Sequence, residues 1–227
     1  MAASSSSRGV LSIAFIVSLG GFLFGFDASV ISGVVGFIVT EFGLNDWQLG
    51  LVVGAPTLGG VFAALIMGPL SDVIGRKKTL ILIASLYTIS ALFSALAPNY
   101  ETLVVARFIG GLAFGSLMIA PIYIAEIART EQRGRLVSIN QLNIVIGFSA
   151  AYFANYAILQ LSQQSSDWVA QLSIEDNAWR WMLGLEFGPA LAYTLLLTMI
   201  PESPRWLTLN GRLDDATRVF KNLGGET

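Results

Sequence analysis

The chain has 227 residues, 54% hydrophobic and only 12% charged, about half the charge of a soluble domain of this length. Its solvent is therefore mostly lipid, which excludes an ordinary water-soluble globule. Without cysteine or histidine, the sequence also excludes disulfides, thiolate metal sites and cysteine nucleophiles, and it leaves any proton chemistry to carboxylates.

Residues 1–9 are Ser-rich, close on Arg8 and Gly9, and are expected to form a disordered amino-terminal segment. A membrane-crossing helix needs about 20 apolar residues. Six such stretches follow, at 10–36, 48–70, 79–97, 102–125, 136–160 and 180–200. The first exceeds the roughly 7–15 residues of a signal-peptide core, so a span is expected there rather than a cleaved leader. Pro56, Pro121 and Pro189 fall inside spans, where neighbouring helices can re-satisfy the freed backbone groups. The connections at 37–47 and 98–101 are short, and the one at 161–179 is longer and polar. Residues 201–227 follow the sixth span. Within them, 210–223 has the pattern of an amphipathic helix, with Leu213, Ala216, Phe220 and Leu223 on one face and Gly224 and Gly225 as its stop. The expected fold is an all-α membrane protein of six transmembrane helices.

Charge placement supports that count. Arg8, Arg76, Lys77, Lys78, Arg129, Arg133, Arg135, Arg205, Arg212, Arg218 and Lys221, 11 of the 13 basic residues, fall on one side. The positive-inside rule makes that side, and both termini, cytoplasmic. Arg107 lies within the fourth span, and Arg180 alone sits at the opposite interface. Trp47, Trp168, Trp179 and Trp181 are expected at or near that interface, where indole is favoured. An internal echo links Gly20-Gly21-Phe-Leu-Phe-Gly25 in the first span to Gly110-Gly111-Leu-Ala-Phe-Gly115 in the fourth. Small residues at this spacing allow close helix packing in lipid, and the pairing of spans one and four is that of a 3+3 inverted repeat.

Charges inside lipid cost several kcal/mol. Asp27 and Arg107 lie at matching depth, about 12–14 Å from the outer face at 1.5 Å per helical residue. One reading is a fixed ion pair that locks two helices. The other is a protonatable switch, in which neutralising Asp27 leaves Arg107 unpaired and favours a different packing. Glu186, the third acid within the spans, is expected to serve in packing near the interface. On the cytoplasmic side, acids and bases alternate in three links. These are Gly68-Pro-Leu-Ser-Asp72-Val-Ile-Gly75-Arg76-Lys77-Lys78, Glu126-Ile-Ala-Arg129-Thr-Glu-Gln-Arg133-Gly134-Arg135 and Pro201-Glu202-Ser-Pro-Arg205-Trp206. The pattern suggests a bridged network that holds this side shut, beside the plainer reading of solvated positive-inside charge.

These segments resemble the signatures of the sugar porters of the major facilitator superfamily. Gly25-Phe-Asp27-Ala-Ser-Val-Ile-Ser-Gly33 resembles the first-span motif of bacterial xylose/proton symporters. The resemblance covers nearly the whole chain after residue 10. It implies a secondary transporter that moves a monosaccharide or polyol by alternating access, with Asp27 as the protonation site paired to Arg107. It further implies that Gln141 hydrogen-bonds the sugar and that Phe24, Ile144 and Phe148 line the same cavity. Asp72, Arg76, Glu126, Arg133, Glu202 and Arg205 match a cytoplasmic salt-bridge gate. Two departures stand out. The spacing from Arg107 to Pro121 is one residue shorter than the family's, so the fourth span needs a register adjustment near Gly110–Gly111 or Pro121. The family has twelve spans, so the chain reads as its amino-terminal half or a truncated form that needs a second six-helix half.

The expected activity is proton-coupled sugar transport across the plasma or cell inner membrane. Passive sugar or polyol facilitation, a non-transporting sensor and an inactive fragment are the alternatives. No catalytic constellation is visible, so an enzyme is not expected. Sugar, proton, lipid and the second half are the expected partners. No metal, cofactor or nucleic acid is expected.

Overall fold

The computed structural model describes residues 2–164 and 167–223, with backbone alone at residues 2–8 and 167–168. Six segments are helical, long and apolar enough to cross a membrane: Gly9–Phe42, Asp46–Ile74, Arg76–Ala95, Tyr100–Ile127, Thr130–Ser162 and Ala178–Met199. The first three are α1 (Ala2–Phe42), α2 (Asp46–Ile74) and α3 (Arg76–Ala95). The fourth joins α4 (Tyr100–Leu112) to α5 (Ser116–Ile127), and the fifth is α6 (Arg133–Ser162). After the short α7 (Asp167–Gln171), the sixth joins α8 (Ala178–Gly184) to α9 (Phe187–Met199); α10 (Pro204–Leu209) and α11 (Leu213–Asn222) follow. No strand occurs among the described residues, in keeping with lipid, where a helix satisfies its backbone groups internally.

Local sequence explains the ends. Gly43, at φ +60°, ends α1. The α1 helix runs past the expected residue 36 because Phe37, Ile38 and Val39 continue the apolar run, and Ile38 is fully buried. Helical backbone also extends back to Ala2, through the segment expected to be disordered. Adding a residue to an existing helix gains a hydrogen bond without a new nucleus. Asn45 and Gln48 close a capping box at the start of α2, at 2.9 and 3.0 Å. Gly75, at φ +100°, makes the turn between α2 and α3, where a Cβ would overlap the Glu202 carboxylate.

Two spans are interrupted. The fourth tightens into a 3₁₀ turn at Ala113–Gly115, between the glycine pair and Pro121, where the short spacing called for a register adjustment. The sixth is interrupted at Leu185–Glu186, where the Leu185 N–H still reaches the Trp181 carbonyl at 3.0 Å but the Glu186 N–H turns to that of Leu183 at 3.4 Å, and both residues keep helical dihedrals. Pro189 has no N–H to offer the Leu185 carbonyl four residues earlier.

The packing shows why the glycine echo exists. The first span lies along the fifth, the second along the fourth, and the third against the sixth. Exchanging repeats maps the first pair onto the second. A Cβ on Gly20 would stand 2.8 Å from the Tyr193 hydroxyl of the sixth span, and one on Gly110 2.5 Å from the Ser90 hydroxyl of the third. A Cβ on Gly21 would meet Asn140 of the fifth span at 2.8 Å, and one on Gly111 would overlap Pro56 of the second. Equivalent glycines thus meet equivalent spans of the other repeat, and backbones approach where any side chain would hold them apart.

Two apolar cores result. One, around Ala14, Leu80, Ile83, Tyr123 and Leu197, fills the end where the first span starts and the sixth finishes, hereafter the basic end. The other, around Val30, Ile38, Leu103 and Met182, fills the opposite end. The amphipathic helix is seated on the basic end differently from expectation. Ala216 joins Trp206 and Leu207 in a small core, and Leu223 packs against the bundle. Leu213 and Phe220 stay 60% and 46% exposed. The apolar stripe is wider than the face the bundle covers.

Candidate functional site

Between the two cores lies a waist of buried charge. Asp27 and Arg107, placed at matching depth by the sequence, meet as an ion pair with each residue 2% exposed. The guanidinium donates through Nη1 to Asp27 Oδ1, and through Nη2 to the Asp27 carbonyl at 3.4 Å. Glu186, 4% exposed, is buried beside this pair. Among the described residues three atoms of this cluster have no hydrogen-bond partner: Asp27 Oδ2, Glu186 Oε1 and Arg107 Nε. Beside it, Tyr87 Oη and Ser116 Oγ stand 3.4 Å apart, and Ser116 donates to the Gly20 carbonyl at 3.3 Å.

The position of Glu186 corrects the expectation of an interfacial packing residue. The sixth span begins at Ala178 rather than 180. Eight residues at about 1.5 Å each then put Glu186 about 12 Å from the outer end of its span, close to the roughly 10 Å that separates Arg107 from the start of α4 at Tyr100.

An apolar groove runs beside the waist. It has a volume of about 500 Å³, and its lining includes Phe24, Ala28, Thr57, Gly60, Phe114 and Met118. Phe24 meets Phe114 edge-on at 4.7 Å between ring centroids, and Phe148 at 6.4 Å. Gln141, Ile144 and Phe148 lie along one stripe of α6, at helical spacings of three, four and seven. Gln141 is exposed, and Ile144 and Phe148 are half-buried. None of the three is in the groove lining; Phe148 reaches it through the Phe24 ring, and Ile144 lies against Gly21 and Gly25 of α1. Phe114 and Thr57 are site candidates the sequence reading did not include. The glycine echo contains Phe114, but nothing in it tells which way the ring points.

The charged links at the basic end are brought together in part. Arg76, 8% exposed, makes a forked contact with Glu126, Nε to Oε2 at 3.1 Å and Nη2 to Oε1 at 3.2 Å. It also binds Asp72 at 2.9 Å and donates to the Ser71 carbonyl at 3.0 Å. Glu126 accepts from the Ser203 hydroxyl at 2.5 Å. Glu202 is bound by backbone N–H groups. It accepts from the backbone N–H of Lys77 at 3.0 Å, at the first turn of α3, where a helix favours an anion. Arg133 and Arg205 are exposed. Among the described residues neither forms an ion pair, and Arg133 donates to the Ala128 carbonyl at 3.4 Å. The ion pairs of this end among the described residues include those of Arg76 with Asp72 and Glu126 and those within 212–218.

At the opposite end stands Arg180, the one basic residue expected there. It pairs with Glu41 at 3.0 Å, donates to the Ala97 carbonyl at 2.6 Å and stacks over Trp179 at 4.3 Å. Trp179 also donates to Glu41 and is 1% exposed, so it is a core residue and not an interface anchor. The extension of α1 to Phe42, whose ring packs edge-on against Trp179 at 5.7 Å, covers it. Trp47 and Trp181 are exposed, at 76% and 37%, and the side chain of Trp168 lies outside the described residues. Among the described residues no group of three or more acidic side chains is placed to hold a metal ion.

Comparison with known proteins places this geometry. The family model described as sugar (and other) transporter matches residues 13–227. The chain is 39% identical over 225 residues to the arabinose-proton symporter of Bacillus subtilis, covering 99% of this chain and 47% of that protein. It is 36% identical over 208 residues to probable polyol transporter 3 of Arabidopsis thaliana, covering 91% and 39%. Among solved structures it matches the proton:xylose symporter XylE of E. coli, a major facilitator superfamily protein, with a TM-score of 0.87 and 33% identity, covering 97% of this chain and 50% of that one. The chain spans about half the length of the curated relatives it matches. It is an integral multi-pass membrane protein and belongs to the sugar transporter family of the major facilitator superfamily.

Proposed function

We propose that the chain forms one six-helix half of a secondary transporter that moves a monosaccharide together with a proton by alternating access. The observation that carries this reading is the under-satisfied charge cluster at the waist. Asp27 Oδ2 and Glu186 Oε1 are buried acceptors without a donor among the described residues, and a proton on Asp27 supplies one. Protonation also removes a counter-charge from Arg107, in surroundings where an uncompensated charge costs several kcal/mol. Repacking of the first, fourth and sixth spans relieves that cost, which makes proton binding and a change of facing one event. The names of the B. subtilis and E. coli relatives, both proton symporters, support the reading.

In this scheme Gln141 hydrogen-bonds the sugar, while Phe24, Ile144 and Phe148 give it apolar contact. A second six-helix half supplies the remaining contacts. The basic end faces the cytoplasm of the cell, by the positive-inside rule, at the plasma or inner membrane. Asp72, Arg76, Glu126 and Glu202 stabilise that end, and the exposed guanidinium groups of Arg133 and Arg205 engage the second half on closure. The chain carries no enzymatic step.

Sugar uptake into vesicles with an imposed proton gradient tests the reading. Uphill accumulation that collapses with an uncoupler is expected, and its absence with intact counterflow would mean a passive facilitator. The polyol-transporter relative favours one further arm, in which inositol and linear polyols are offered beside monosaccharides.

A further inference from the structure

We infer that Phe114 sets the size of ligand the groove admits, favouring a pentose over the corresponding hexose. This rests on the sugar-transport reading above. The fourth span departs from the α-helix at Ala113–Gly115. A 3₁₀ turn advances about 120° per residue against about 100° in an α-helix, so three residues at Ala113–Gly115 rotate the span by about 60°. The tightened turn sets Phe114 and Gly115 on the groove wall together with Leu117 and Met118.

The ring is held there from both sides. Its edge contact with Phe24 fixes it on one side. On the other, a Cβ at Gly60 would stand 3.1 Å from its Cδ2, so the second span keeps a glycine where Phe114 needs room. The ring therefore takes up groove volume on a wall that also includes Ala28, the residue after Asp27. Thr57 carries the one side-chain hydroxyl in the lining. A hydroxymethyl group pressed against this wall would exchange water for aromatic carbon and gain few hydrogen bonds in return. Size and polarity thus act in the same direction, against the larger sugar.

The experiment measures kcat/KM for xylose and glucose uptake by the full transporter, this chain joined to the second six-helix half, with Phe114 intact, Phe114→Leu and Phe114→Ala. The expected result is a glucose-to-xylose ratio that rises roughly tenfold in Phe114→Ala and by less in Phe114→Leu, carried mainly by the KM for glucose. A ratio within about twofold of the unaltered protein in both variants, even with both uptakes reduced, overturns the inference and leaves Phe114 a packing residue. If Phe114→Ala does not insert, an unchanged ratio in Phe114→Leu overturns it alone. Uptake of neither sugar by the unaltered transporter overturns the transport reading itself, and this inference with it.

Discussion

Two buried arginines organise the molecule, and they are treated differently. Arg76 at the basic end is saturated: two carboxylates and a backbone carbonyl receive its donors, and its main partner Glu126 is held in turn by Ser203. Arg107 at the waist is more deeply buried and less well served. Its Nε and one oxygen each of Asp27 and Glu186 have no partner among the described residues. A fully satisfied buried network fixes one arrangement, whereas a partly satisfied one is strained in any single arrangement. The first suits a latch and the second a switch.

That contrast can be broken experimentally, beginning with the largest effect. Arg107→Gln leaves two buried carboxyls facing each other without a cation. Concentrative uptake should fall at least about 100-fold, with a loss of about 3 kcal/mol in stability, read by uptake and by thermal unfolding in detergent. Arg76→Gln should cost about 2–3 kcal/mol in the same unfolding measurement yet leave the proton-to-sugar ratio unchanged. A changed ratio would mean that the basic end takes part in coupling. Glu126→Gln keeps a hydrogen-bond acceptor for Arg76 and should cost about 1–2 kcal/mol. The smallest effect belongs to Arg180→Gln at the opposite end. Its pair with Glu41 is partly solvated, at 24% and 36% side-chain exposure, so a loss below about 1 kcal/mol is expected. A larger loss would promote that contact to a second latch.

What the sequence revealed follows the same division between depth and direction. Hydropathy fixes the spans because the length of an apolar run is a one-dimensional property. Depth is also one-dimensional, which is why the Asp27–Arg107 pair was legible. The start of the sixth span at Ala178, two residues before the expected one, sets Glu186 deeper than the sequence suggested. Direction around a helix axis is harder. Phe114 points into the groove through a three-residue 3₁₀ turn, and Trp179 is buried because α1 continues to Phe42 above it. Leu213 and Phe220 share an apolar stripe with Ala216, yet the bundle covers only part of that stripe. Arg133 and Arg205 lie in charged motifs, but motif membership does not say which guanidinium turns inward. The glycine echo was the exception, since a missing side chain marks close backbone approach whichever neighbour fills the space.

The most direct test of the switch is Asp27→Asn in the full transporter, with downhill sugar counterflow and uphill accumulation measured on the same vesicles. The side chain keeps its shape but can no longer gain or lose a proton. Accumulation driven by a proton gradient should vanish while counterflow continues. Accumulation that survives the substitution would contradict the account, because the proton would then be carried elsewhere and the Asp27–Arg107 pair would be a lock between two helices.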